Sequence, residues 1–216
     1  GRPEPVSEAE EWARLDPVLR ELARRIPHTP ISVDTVKRGI AARALDAGAW
    51  AINDVSGLRL DLGIADVCAK AGAGLIVMHS RGTVSNMATY DHAHYADVSA
   101  EVAREIGAGV ALAEGRGVPR DAIVVDPGLG FAKETAHSYA ALNGVTVLAA
   151  TGQPVMVGPS RKRFLGAATG AGVLDRDGAT AAACAAAFLL GARLFRVHAV
   201  RPVVEALSVV HAIRAA

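Results

Sequence analysis

Short apolar runs alternate with helical stretches along nearly the whole chain. The runs fall at 30–34, 50–54, 74–79, 122–126, 154–158 and 193–198. Each is close to continuously apolar rather than alternating, the pattern of strands covered on both faces. Between and after them, apolar positions recur at helical spacing over 36–47, 61–72, 97–116, 134–150, 176–191 and 201–214. Ahead of the first run, residues 1–5 have a loop composition. Ser7, with Glu10 three positions on, then reads as a capping box opening a helix that carries Trp12, Leu15, Val18, Leu19 and Leu22. Strand–helix alternation of this kind predicts a parallel α/β architecture. No Gly/Ser linker or low-complexity segment divides residues 1–216, so one domain is expected.

The apolar runs share a feature that stability does not ask for. They end on Asp34, on Asn53 and Asp54, on His79, on Asp126, before Ser160, Arg161 and Lys162, and on Arg196 and His198. A buried strand gains nothing from such endings. In a β/α barrel, however, the C-terminal strand ends form the active-site face, and in an open doubly wound sheet they form a crevice. The glycines of 128–130 are expected to let backbone approach a ligand closely. Six strands are visible, whereas a closed TIM (β/α)8 barrel has eight in about 250 residues. Six alone would leave two open edges. The simplest account is a barrel whose first two βα units, apart from the second helix, lie outside this sequence.

Composition narrows the chemistry. Hydrophobic residues make up 51% and aromatics 4%, so the core must be built from Ala, Val, Leu and Ile. A net charge of +1 gives no case for nucleic acid or a membrane surface. Cys68 and Cys184 lie far apart in apolar helical contexts and read as buried thiols in a reducing compartment. The longest apolar run, 181–192, is too short for a bilayer, which needs ~20 residues. A cytoplasmic protein is expected.

Six short motifs then follow in order at the strand ends: SVDT (32–35), INDV (52–55), VMH (77–79), DPGLGFAK (126–133), SRKR (160–163) and RVH (196–198). Together they resemble the dihydropteroate synthase family of pterin-binding barrels, and the resemblance spans essentially the whole chain. It implies condensation of 6-hydroxymethyl-7,8-dihydropterin diphosphate with 4-aminobenzoate, releasing diphosphate, with Mg²⁺ as cofactor and a homodimer as the assembly. By the resemblance, Asp126 takes the pterin's amino and N3–H edge, Asp34 and Asn53 bond other ring edges, and Lys162 lies over the ring. Asp34, Asp126 and Lys162 form the catalytic set. Met78 joins the pterin-binding residues, Phe131 and Ser160 border the aminobenzoate, and Arg196 and His198 hold the diphosphate. The family's Mg²⁺-binding Asn belongs to a first-strand motif absent here, as are the Thr and Arg that clamp aminobenzoate, so no metal ligand is assigned. Ala199 stands where the family usually has Asp, which leaves His198 without one expected partner.

Plainer readings exist for single motifs. Asp34 and Asp126 could cap turns, Lys162 could be a solvated member of a basic run, and His198 could be a satisfied buried histidine. Arg196, two residues earlier in a strand expected to be buried, argues against the last. His92 and His94 read as a surface pair rather than a metal site. The stretch 175–178 reads as a helix-entry turn rather than a calcium loop. Two alternatives remain open at this point: a non-catalytic pterin-binding relative, and a methyltetrahydrofolate-dependent methyltransferase barrel, which would not need Lys162 or Arg196.

Overall fold

Ile52, Leu75, Val77, Ile123 and Val125 are almost wholly removed from solvent, and they lie on adjacent parallel strands. The computed structural model describes residues 6–216; the loop read at 1–5 lies outside the described residues. The strands are β1 (Ser32–Asp34), β2 (Ala51–Asp54), β3 (Gly74–Met78), β4 (Ile123–Asp126), β5 (Met156–Val157) and β6 (Leu194–Phe195). β1 to β4 form one parallel sheet in sequence order. A parallel bridge between Val125 and Val155 carries the order on to β5, which pairs with β6. The architecture is that of a TIM barrel, with six strands among the described residues and no described strand on the outer edges of β1 and β6.

Register sets the rim. Asp34 lies opposite Asn53, and Met78 lies opposite Asp126. Each strand returns through a helix: α1 (Glu8–Arg25) precedes β1, α2 (Arg38–Asp46) and α3 (Gly63–Ala71) follow β1 and β2, and α4 (Val98–Gly115) follows β3. The helix read at 134–150 is two, α5 (Thr135–Asn143) and α6 (Val145–Ala149). The break is Gly144, where a Cβ would come within 2.3 Å of Ser99 Oγ on α4, so close packing of α4 fixes the glycine. A helix that periodicity did not announce, α7 (Arg163–Thr169), follows β5, and α8 (Asp177–Leu189) and α9 (Val200–Ala215) complete the chain.

Several local expectations gain a cause or a correction. Ser7 Oγ accepts from Glu10 N–H at 3.2 Å, but the Glu10 carboxylate turns to Arg14 instead of back to the cap. Glu11 anchors α1 by accepting from Thr35 Oγ1 at 2.7 Å and Lys37 Nζ at 2.5 Å. The stretch 175–178 is the entry to α8. Cys68 and Cys184 are free and buried, and burial pushes their thiols up to about 12 and about 11. The last strand is the clear departure: β6 is short and open, with Leu194 exposed and Phe195 half-buried. Among the described residues Arg196 and His198 stand in solvent-accessible positions, beside an edge of β6 on which no strand is described.

Candidate active site

The rim begins with a chain of polar groups across β1, β2 and the end of β6. Asn53 is buried, and its Nδ2 donates to Asp34 Oδ1 at 2.8 Å. The other oxygen of Asp34 pairs with the Arg196 guanidinium. Asn53 Oδ1 is a buried acceptor with no partner among the described residues. Such an atom is costly when left alone, about 1–3 kcal/mol, and a ligand N–H would satisfy it. The neighbouring Asp54 serves the fold. It accepts from Ser56 N and Oγ and from Leu58 N at 2.7–2.8 Å, shaping the turn after β2.

Asp126 ends β4 in a different setting. It is 5% exposed, and its Oδ1 accepts from Gly128 N at 2.7 Å. Burial raises its pKa, against the pull of Lys162, the Gly128 N–H, Lys133 and Arg196. The loop after it is tight. Gly128 has φ +65°, and a Cβ there would lie 1.9 Å from the carbonyl oxygen of His79. The close approach there is to the backbone at the end of β3. Gly130, at φ +76°, leaves room for the Lys162 stem, 3.4 Å from the position of its missing Cβ.

Lys162 is half-buried, donates to the Leu129 carbonyl and lies 4.9 Å from the centre of the Phe131 ring. Burial pushes its pKa down to about 8, with Asp126 opposing the shift. Ser160 and His198 hold each other: Ser160 Oγ is 2.7 Å from His198 Nδ1 and accepts from the His198 N–H at 3.0 Å. Met78, Asp126, Phe131, Ser160, Lys162, Arg196 and His198 line one hollow of about 400 Å³. Asp34 and Asn53 stand at its edge, joined to it through Arg196. A second hollow of about 340 Å³ shares Phe131 and Lys162 with the first. It adds Arg161, Arg163, Arg176 and Tyr90, with the Arg163 guanidinium 4.6 Å over the Tyr90 ring. Ser160 is not part of its wall.

The sequence reading missed a buried network behind the glycine loop. Lys133 is 1% exposed and contacts His79 Nδ1 at 2.7 Å. His79 Nε2 meets Glu105 on α4 at 3.0 Å, and Arg81 forks onto Glu105 and Glu101. Burial lowers His79 to about 4. Burial works against the Glu105 charge, but hydrogen bonds from His79 and Arg81 outweigh it and hold its pKa well below the usual range. The 19-residue span between β3 and α4 covers this network: Met87 O accepts from Ala132 N at 2.7 Å, and Tyr95 donates to Ala132 O at 3.0 Å. His92 sits in that span against Asn86. Among the described residues no group of three or more His, Cys, Asp or Glu side chains gathers to hold a metal. A signal for the network existed in the sequence: a lysine closing the glycine loop and a histidine closing β3, both next to runs expected to be buried.

Residues 1–198 match the family model described as pterin binding enzyme. The chain is 44% identical over 208 residues to the dihydropteroate synthase of Mycobacterium leprae (strain TN), an alignment covering 94% of this chain and 72% of that protein. It superposes on the crystal structure of dihydropteroate synthase from Stenotrophomonas maltophilia with TM-score 0.92 and 39% identity, over 98% of this chain and 78% of that one. The enzyme from Xanthomonas albilineans in complex with 7,8-dihydropteroate gives TM-score 0.89 and 37% identity, over 98% and 76%.

Proposed function

The chain belongs to the pterin-binding enzyme family, and from that premise we propose that the two hollows seat the substrates of dihydropteroate formation. The protein is a transferase of folate biosynthesis: it joins 6-hydroxymethyl-7,8-dihydropterin diphosphate to 4-aminobenzoate, giving 7,8-dihydropteroate and diphosphate. The observation that carries the assignment of residues is the single hollow holding a buried carboxylate, Asp126, beside Lys162, Arg196 and His198.

A reduced pterin presents an amino group and an N3–H side by side. One carboxylate accepts both, and Asp126 is the buried carboxylate in reach. Asn53 Oδ1 takes a further ring N–H. Lys162 lays its stem against the ring, as its packing by Phe131 favours. Met78, paired with Asp126 across β3 and β4, forms the apolar floor. Arg196 and His198, open to solvent, meet the diphosphate. Ser160, bonded to His198, works on that side too. Aminobenzoate takes the second hollow, its ring beside Phe131 and its carboxylate toward Arg163 and Arg176.

The reaction then needs no protein nucleophile. The bond from the exocyclic methylene to the diphosphate oxygen breaks, and its electron pair leaves with the oxygen, a charge Arg196 and His198 stabilise. Positive charge develops on the pterin, where Asp126 offers a carboxylate in a desolvated setting and Asp34 a second one at the rim. The amine lone pair of aminobenzoate forms the new C–N bond, and the proton lost from nitrogen passes to the departing diphosphate or water. Mg²⁺ is implied by the resemblance; among the described residues no group of three or more His, Cys, Asp or Glu side chains gathers to hold it, and no step here runs through it.

The working form is a homodimer in the cytoplasm. Val200, Val204, Val209 and Ile213 on α9 support the first, as large apolar side chains left exposed. No helix among the described residues is long and apolar enough to cross a membrane. The methyltransferase reading is disfavoured, since it gives Lys162 and Arg196 no reason to share the hollow. Initial-rate measurement of dihydropteroate formation by Lys162→Ala, beside a melting curve, tests the proposal. Turnover should fall at least ten-fold with the melting temperature nearly kept; unchanged turnover in a folded variant would remove Lys162 from the reaction.

A further inference from the structure

Lys133 closes the DPGLGFAK run, yet no step of the condensation uses it. The chain has four lysines, Lys37, Lys70, Lys133 and Lys162, and Lys133 is the one almost wholly buried, at the inner wall of the second hollow. An ammonium placed there must find an acceptor for each of its three N–H groups. It does: His79 Nδ1 at 2.7 Å, the Phe131 carbonyl at 3.2 Å and the Gly128 carbonyl at 3.3 Å. Two of these belong to the loop that starts at Asp126 and carries Phe131. The third is the imidazole at the end of β3, whose carbonyl is the surface Gly128 presses on.

The direction of donation is fixed from the far end. Arg81 holds Glu105 ionised, so Glu105 can only accept, and the proton of the neutral His79 ring belongs on Nε2. Nδ1 is then a bare lone pair, and Lys133 is its donor. Arg81, Glu105, His79 and Lys133 form one satisfied chain that ends on the carbonyls of the substrate loop.

We propose that Lys133 is a positioning residue for the condensation: its three N–H groups set the loop that presents Asp126 and Phe131. The inference rests on the reading of the first hollow as the pterin seat. The groups facing Lys133 are His79 on β3, Arg81 and Tyr95 in the following span, Glu105 on α4, Asp126 on β4 and Lys162 after β5. Burial pushes its pKa down to about 7, Asp126 and Glu105 oppose the shift, and Lys162 and Arg81 add to it. A neutral amine has two N–H groups for three acceptors. As pH rises past neutrality one loop contact is lost, and Asp126 loses a neighbouring charge.

The test is calorimetric affinity for 6-hydroxymethylpterin against pH, for the full chain and for Lys133→Met, Lys133→Arg and Asp126→Asn. Lys133→Met should bind about ten-fold more weakly, with the acid limb of the affinity profile moved to higher pH. Lys133→Arg keeps the charge and does not titrate, so it should restore the acid limb and flatten the alkaline one. A purely structural role would lower the melting temperature and leave the acid limb in place, which would overturn the inference. If Lys133→Met keeps the whole profile while Asp126→Asn loses binding, Lys133 alone is excluded. If Asp126→Asn keeps its affinity, the pterin seat falls and Lys133 falls with it. Should Lys133→Met not fold, Lys133→Arg decides: a flattened alkaline limb beside the wild type's supports the inference, and an unchanged alkaline limb overturns it.

Discussion

Asp34 and Asp126 both end strands of one parallel sheet, and the fold treats them in opposite ways. Asp34 is exposed among the described residues, on the outermost described strand of the sheet, and is held by Arg196 and by Asn53. Asp126 is buried, bonded to its own loop and flanked by two lysines whose pKa values burial has lowered. The open flank relies in part on an exposed ion pair, Asp34 with Arg196, that water and salt weaken. The closed flank is set before any ligand arrives. Preorganised charge of the second kind is what transition-state stabilisation draws on most.

The comparison breaks first on affinity. Asp126→Asn should weaken pterin binding roughly 100-fold, since two hydrogen bonds to a charge are lost or inverted, while Asp34→Asn should cost about ten-fold or less. Calorimetry on both variants reads the contrast, and equal losses would erase it. Next comes pH. Because burial raises the Asp126 pKa, affinity should begin to fall, as pH is lowered, above the ordinary carboxylate range. Protonation removes one of the two acceptor oxygens. Asp34→Asn should retain that limb. Smaller again is Arg196→Ala, expected to weaken diphosphate binding several-fold more than binding of a bare pterin, by titration with each. The smallest effect is on stability. The exposed Arg196–Asp34 pair should contribute no more than about 1 kcal/mol, visible as a nearly unchanged denaturant midpoint for Arg196→Ala.

Much of this was legible in the residues. Continuous apolar runs located all six strands, because a strand covered on both faces has no polar side to show. The polar endings located the rim for the same reason, being the places where burial stops. Exposure along an edge was not legible. β6 reads like the other strands from 193 to 198, yet among the described residues only two of its residues pair and both its rim groups are open. That depends on what lies beside it, which no local pattern encodes. Asp54 and Asn53 show the same limit at single-residue scale: adjacent, both buried, one building a turn and one at the rim. The Lys133 network was hidden because its members lie 54 and 26 residues apart and meet only after β3, α4 and β4 have packed.

Gly128 adds a consequence for mutational surveys. Its missing methyl is fixed by a backbone oxygen of another strand, which cannot swing aside as a flexible side chain could. Even alanine is shut out, although nothing in this geometry requires the residue to touch a substrate. A screen that scores only survival would rank position 128 with the reacting groups, when what it detects there is the space one carbon would occupy.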